Sequence, residues 1–207
     1  MQYPFFYTEV PTIILYDPLS DFLGAFENGE IQISYLACVK LAGHSCPTVA
    51  GAYMMAAKGL KLLYPDSLPH RGSIKVEIKE PRDNGVAGVI GNVISYIVGA
   101  GDEGGFKGIQ GNFARNNLIK FDTPMQGEVT LTRVDIQRSV TLSYDPSSVP
   151  PDERMKPLMG KTLQGTASSK EKELFKTLWQ DRVRKILLTP ELSDAMITVT
   201  KNYTKEL

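Results

Sequence analysis

The chain has 207 residues, with 42% hydrophobic positions and 23 basic against 23 acidic side chains. That length and hydrophobic content exclude wholesale disorder, and the neutral balance gives no electrostatic basis for nucleic-acid or anionic-membrane binding. Two Cys (Cys38, Cys46) and two His (His44, His70) exclude a disulfide-rich scaffold and leave few metal donors.

In chain order, residues 1–19 are aromatic, β-branched and punctuated by Pro4, Pro11 and Pro18, which reads as an extended lead-in. They carry neither the basic start nor the small-residue cleavage site of a secretory signal, so a cytoplasmic setting is the expectation. Asp17-Pro18-Leu19-Ser20 is a turn or helix start, and Asn28-Gly29 stops the helical spacing of Phe22, Leu23 and Phe26. Gln32–Leu41 fits helix or strand. Pro47–Tyr64 predicts a helix, with Pro47 in its first turn and Val49, Tyr53, Ala56, Leu60 and Leu63 at three- and four-residue steps. Ser73–Lys79 alternates Ile74, Val76 and Ile78 with polar residues and predicts a half-buried strand. Pro81–Gly85 is a turn, and Val86–Val98 predicts a second apolar helix.

Gly99–Gly111 is a loop by its glycines, and 113–121 is a short strand or loop. Glu128–Val134 and Arg138–Tyr144 predict a hairpin. Asp145–Pro151 reads as a linker, and Ser168–Leu188 as an amphipathic helix capped by Ser168 or Ser169. Helices and strands mix without regular alternation, so the expected class is α+β, a mixed or antiparallel sheet packed on apolar helices. Residues 1–149 form the expected main domain and 150–207 a linker and helical extension. The first part carries 12 basic and 15 acidic groups, the second 11 and 8. This opposite bias permits self-association. Two stretches, 41–57 and 84–101, hold no charged residue, yet their prolines, glycines and polar residues mark buried elements rather than membrane spans.

The motif with the most chemistry is Gly43-His44-Ser45-Cys46-Pro47, at the mouth of the first apolar helix. Free N–H groups and the positive dipole end there favour a thiolate at Cys46. In an extended segment, His44 and Cys46 lie on the same side, so imidazole and sulfur converge on a transition-metal ion. His70 is the remaining imidazole and a third candidate ligand, against the plain reading of an exposed loop residue. Asp83, Asn84, Asp102 and Glu103 offer oxygens in turns and loops. Cys46-Pro47 also permits thiolate ligation of haem, with His44 as an alternative axial ligand and Tyr53, Met54, Met55 and Phe113 as an apolar lining. Arg115 is a candidate for binding a carboxylate or other anion at the glycine-loop rim. Gly99–Gly104 matches G-x-G-x-x-G but follows a helix and carries two acids, which argues against a dinucleotide. A Cys46–His44 hydrolytic dyad is less compatible with a two-residue spacing than metal binding is.

The G-H-x-C-P signature at Gly43–Pro47 is followed by a Gly/Ala-rich helix at Gly51-Ala52-Tyr53-Met54. A strand at Ile74–Ile78, Asn84-Gly85-Val86 and a Gly111–Leu118 segment come next. Together these pieces resemble the FmdE-like family, which takes its name from formylmethanofuran dehydrogenase. The resemblance covers roughly residues 20–145. It implies an α+β domain, a homodimer, and a metal bound through His44 and Cys46, with zinc the first expectation. Members carry Cys where this chain has Asn84 and the loop around Asp102, and many carry a C-terminal four-Cys module, whereas 150–207 contain no Cys. The resemblance therefore implies a stand-alone homologue with a modified metal or cofactor site and a small-molecule or cofactor ligand. A haem-binding protein and a non-catalytic assembly subunit are the competing readings.

Overall fold

The computed structural model describes residues 2–189, 191 and 195–203, the last three through their backbone alone. The architecture is α+β. Strands β1 (Ile13–Tyr16) and β2 (Glu30–Ile33) form a small antiparallel pair. The main sheet contains β3 (Ile74–Ile78), β4 (Ile119–Lys120), β5 (Val129–Arg133), β6 (Ser139–Tyr144) and β7 (Ile197–Tyr203). Their order is β4-β3-β5-β6-β7, with β3 and β4 parallel and every other neighbour antiparallel.

One face of the sheet is apolar. Val76 pairs with Leu131, and Leu131 with Val140, while Ile78 pairs with Val129 and Val129 with Leu142, all essentially inaccessible. The opposite face is polar, with Thr130 and Thr141 sharing a 2.8 Å hydroxyl bond. This period-two pattern is what a sheet with one covered face requires.

Helix α3 (Pro47–Leu63) covers the apolar face, with α4 (Ala87–Val98) beside it. Close approach of α3 depends on two glycines. A Cβ at Gly51 would meet the Tyr144 ring at 2.3 Å, and one at Gly59 would meet Leu131 Cδ1 at 2.6 Å. Helix α2 (Tyr35–Ala42) packs on α3 and α4 from the far side. Helix α1 (Pro18–Leu23) precedes it in the chain, and α5 (Met155–Leu163) and α6 (Ser169–Leu188) follow the hairpin. Among the described residues, no helix is long and apolar enough to cross a membrane.

Several expectations change in detail. The lead-in contains a 3-10 turn at Phe5–Thr8 and strand β1. Helix α1 starts at Pro18 because the Asp17 carboxylate accepts from Leu19 N–H and Ser20 N–H. The helical spacing of Phe22 and Phe26 does not mark a core face, since they are 62% and 51% exposed. The ambiguous 32–41 stretch is both element types, divided at Ser34, which ends β2 and caps α2 through Ala37 N–H. In the tail, Ser168 and Glu171 form a capping box on α6, while α5 and β7 are additional to the sequence expectation.

Candidate functional site

The Gly43–Pro47 turn is shaped by two helix ends. Gly43 closes α2 at φ +75°, a left-handed conformation that suits glycine. Cys46 then adopts extended geometry as the N-cap of α3, and its Sγ accepts from Val49 N–H at 3.4 Å. Pro47 occupies the first turn, where its missing N–H is no loss.

His44 and Cys46 meet different surroundings. His44 is exposed, and its Nδ1 lies 3.0 Å from the Ala42 carbonyl oxygen. Its ring borders a hollow of about 300 Å³ with Val89, Asn92 and Ser95 of α4. The Ser95 hydroxyl is buried and has no hydrogen-bond partner. Cys46 is 8% exposed. Its sulfur is drawn back over the first turn of α3, while the imidazole follows the last carbonyls of α2.

Ser45, between them, connects three elements. Its hydroxyl is 2.9 Å from the Tyr35 hydroxyl. Its carbonyl accepts from Trp179 Nε1–H at 2.9 Å and from Gln180 Nε2–H at 3.4 Å. Tyr7 donates to Gln180 Oε1 at 3.1 Å. Tyr7 stands edge-on to Tyr35, and Tyr35 edge-on to Tyr53, at centroid distances of 5.3 and 5.6 Å. Burial raises the Tyr35 and Tyr53 pKa values above the ordinary phenol value. Thus α6 lies over the motif turn and an aromatic row supports it from behind. Sequence reasoning did not assign Ser45, Trp179, Gln180, Tyr7 or Tyr35 to the site. The available signal was the single Trp of the chain, on an amphipathic helix.

Cys38 is fully buried, and burial pushes its thiol pKa up to about 12. Both cysteines are free thiols. Tyr53 donates to the Pro11 carbonyl at 2.7 Å and lies 3.0 Å from that of Ile33. With Met54 it lines a cavity of about 780 Å³ whose walls include neither His44 nor Cys46. Met55 is fully buried, and Phe113 packs tilted against Phe22 instead.

His70 is exposed, packed edge-on to Tyr16 and stacked on Tyr64. Its backbone bridges to Tyr16 outside the named strands. Arg115 binds a carboxylate, but that of Asp17 in the same chain. Asp17 also accepts from Arg71 Nη1 at 3.0 Å. Arg71 donates further to the Ile97 and Tyr96 carbonyls at the end of α4. Although burial acts to raise the Asp17 pKa, the Ser20 N–H and the two guanidinium groups hold it below the ordinary carboxylate value. At the family's turn, Asn84 donates to Glu80 at 2.6 Å, and Asp102 pairs with Arg82 at 3.1 Å on the surface. Among the described residues, no three His, Cys, Asp or Glu side chains gather to hold a metal ion.

The family model of FmdE, described as "Molybdenum formylmethanofuran dehydrogenase operon", matches residues 41–193. The chain belongs to the FmdE family. The match to FmdE begins two residues before the Gly43–Pro47 motif and runs past residue 145, where the motif resemblance stops. It thereby includes α6, the helix that covers the FmdE turn. No curated protein matches the chain.

Proposed function

We propose that this FmdE-family chain binds a transition-metal ion, with zinc as the first expectation, or a metallocofactor at the Gly43–Pro47 turn. His44 is the outward ligand and Cys46 the thiol behind it. The observation that supports this reading is the 3.0 Å contact between His44 Nδ1 and the Ala42 carbonyl. A ring nitrogen engaged by a backbone carbonyl fixes the tautomer and leaves Nε2 as the metal donor. The solvent-facing position of the ring and the hollow beside Asn92 and Ser95 leave room for a ligand.

These two donors do not complete a tetrahedral zinc site. One chain therefore fits part of a site, and the reading assigns the remaining donors to a second copy of the chain or to the cofactor. The proposed assembly is a homodimer. The family's description points to the operon of a molybdenum formylmethanofuran dehydrogenase, and the role proposed is that of a metal-carrying accessory protein in such a setting. His70, held between Tyr16 and Tyr64, has no part in this reading.

The test is elemental analysis after zinc reconstitution and desalting, with light scattering on the same sample. Stoichiometric metal in a dimer, lost in His44→Ala and Cys46→Ala but kept in His70→Ala, is the expected result. His44 is exposed, so His44→Ala should leave stability within about 0.5 kcal/mol of wild type. Metal that persists in both the His44 and Cys46 variants, or a reconstituted protein that retains none, refutes the reading.

A further inference from the structure

We propose that the cavity between α3, the N-terminal segment and the end of α6 is a binding site for an amphiphilic carboxylate, a small molecule with an apolar body and one anionic head. The cavity, at about 780 Å³, is within the range of small-molecule sites. One wall is a stripe of α3 in which Tyr53, Met54, Ala57, Lys58, Lys61 and Leu62 recur at helical spacing. Val10 and Pro11 face it from the N-terminal segment, and Leu187 closes it from α6. The body of a ligand here meets mainly hydrocarbon.

The charged side chains that line the cavity among the described residues are basic. Lys58, Lys61 and Arg138 line it, and among the described residues no acidic side chain does. Lys58 donates to the Ile197 carbonyl at 3.1 Å, so the recognition is assigned to Lys61 and Arg138. Arg138 is half-buried, and its Nε is shut off from solvent with no hydrogen-bond partner. Its hairpin neighbour Arg133 is different. That side chain pairs with Asp135 and donates to the Leu63 carbonyl at 3.1 Å. Among the described residues no acidic side chain lines the cavity beside Arg138, and a ligand carboxylate supplies the missing counter-charge to its guanidinium. The planar fork of arginine matches a carboxylate, and Lys61 adds a second positive charge.

The experiment is calorimetric titration of the full chain with dodecanoate, and with 1-dodecanol as the uncharged probe of the same length. Dodecanoate should bind saturably and at least tenfold tighter than the alcohol. Arg138→Gln and, separately, Lys61→Gln should each weaken dodecanoate about tenfold, as expected for loss of a charge-assisted contact, and leave dodecanol unchanged. Circular dichroism verifies that each variant is folded, and the Lys61 variant alters a side chain outside the core. Absence of saturable binding, equal affinity for acid and alcohol, or full dodecanoate affinity in both folded variants overturns the proposal.

Discussion

Asp17→Asn isolates one charge in a polar cluster that joins Asp17, Arg71 and Arg115. The Asp17 side chain is 3% exposed, and those of Arg71 and Arg115 are each 15% exposed. Its carboxylate joins α1, the segment after His70 and the chain at Arg115. The asparagine oxygen can still accept from Leu19 and Ser20 N–H, so the cap on α1 is largely kept. What disappears is the negative charge between two guanidinium groups. Breaking a buried pair by removing one partner costs about 3–5 kcal/mol. Arg71 keeps the Ile97 and Tyr96 carbonyls, which places the expected loss near the lower end, about 3 kcal/mol. For a chain of this size that corresponds to a Tm lower by about 6–12 °C.

Urea unfolding at pH 7 measures this loss. Its pH dependence gives a second readout. The folded pKa of Asp17 is depressed, so its stabilisation is fully present above the unfolded carboxylate pKa of about 4 and is lost as pH falls through the folded value. The gap between wild type and Asp17→Asn should be constant from neutral pH down to about pH 5 and close below about pH 4. A variant within about 1 kcal/mol of wild type at pH 7, or a gap that widens in acid, refutes the assignment of this cluster as a structural ion pair.

At Gly51 and Gly59 the two alanine variants should rank in a fixed order. Gly51→Ala drives a methyl into the Tyr144 ring, held on β6, and should cost about 1–3 kcal/mol less any gain in helix propensity. Gly59→Ala meets the ends of the Leu131 and Leu142 side chains, which can rotate, so denaturant melts should show the smaller loss there. Equal losses would contradict the packing argument. Trp179→Phe removes the donor to the Ser45 carbonyl, where Gln180 remains, and should cost about 0.5–1.5 kcal/mol. The same change should speed thiol-reagent labelling of Cys46, followed by peptide mapping, while Cys38 stays unlabelled in the folded protein. An unchanged Cys46 rate would mean that α6 does not shield the turn.

The helix after Pro47 and the strand at Ile74–Ile78 were legible because each repeats its hydrophobic pattern over enough residues to identify its period. The stretch around Ser34 was not, because four residues of strand and eight of helix share one apolar run. The tail was read only through α6, whose cap and charge pattern are local; β7 becomes a strand by pairing with β6, a partner more than fifty residues away. Of the site, the G-H-x-C-P spacing predicted that Cys46 sits at the mouth of a helix starting at Pro47, and it is the N-cap of α3. The expectation that imidazole and sulfur converge did not include that His44 is exposed while Cys46 is buried, because that depends on how the ends of α2 and α3 are packed.

The sequence by itself determined the α+β class, the family and the position of the motif at a helix mouth, since each depends on residues near one another in the chain. Tertiary structure alone decided the rest. Arg115, a candidate for binding a ligand, is neutralised by Asp17 nearly a hundred residues away. Ser45 is covered by a helix from the far end of the chain. Arg138 is left beside an apolar cavity without a partner for its Nε. Those outcomes depend on which charges and apolar surfaces the fold brings within a few ångströms of one another, a property no local spacing encodes.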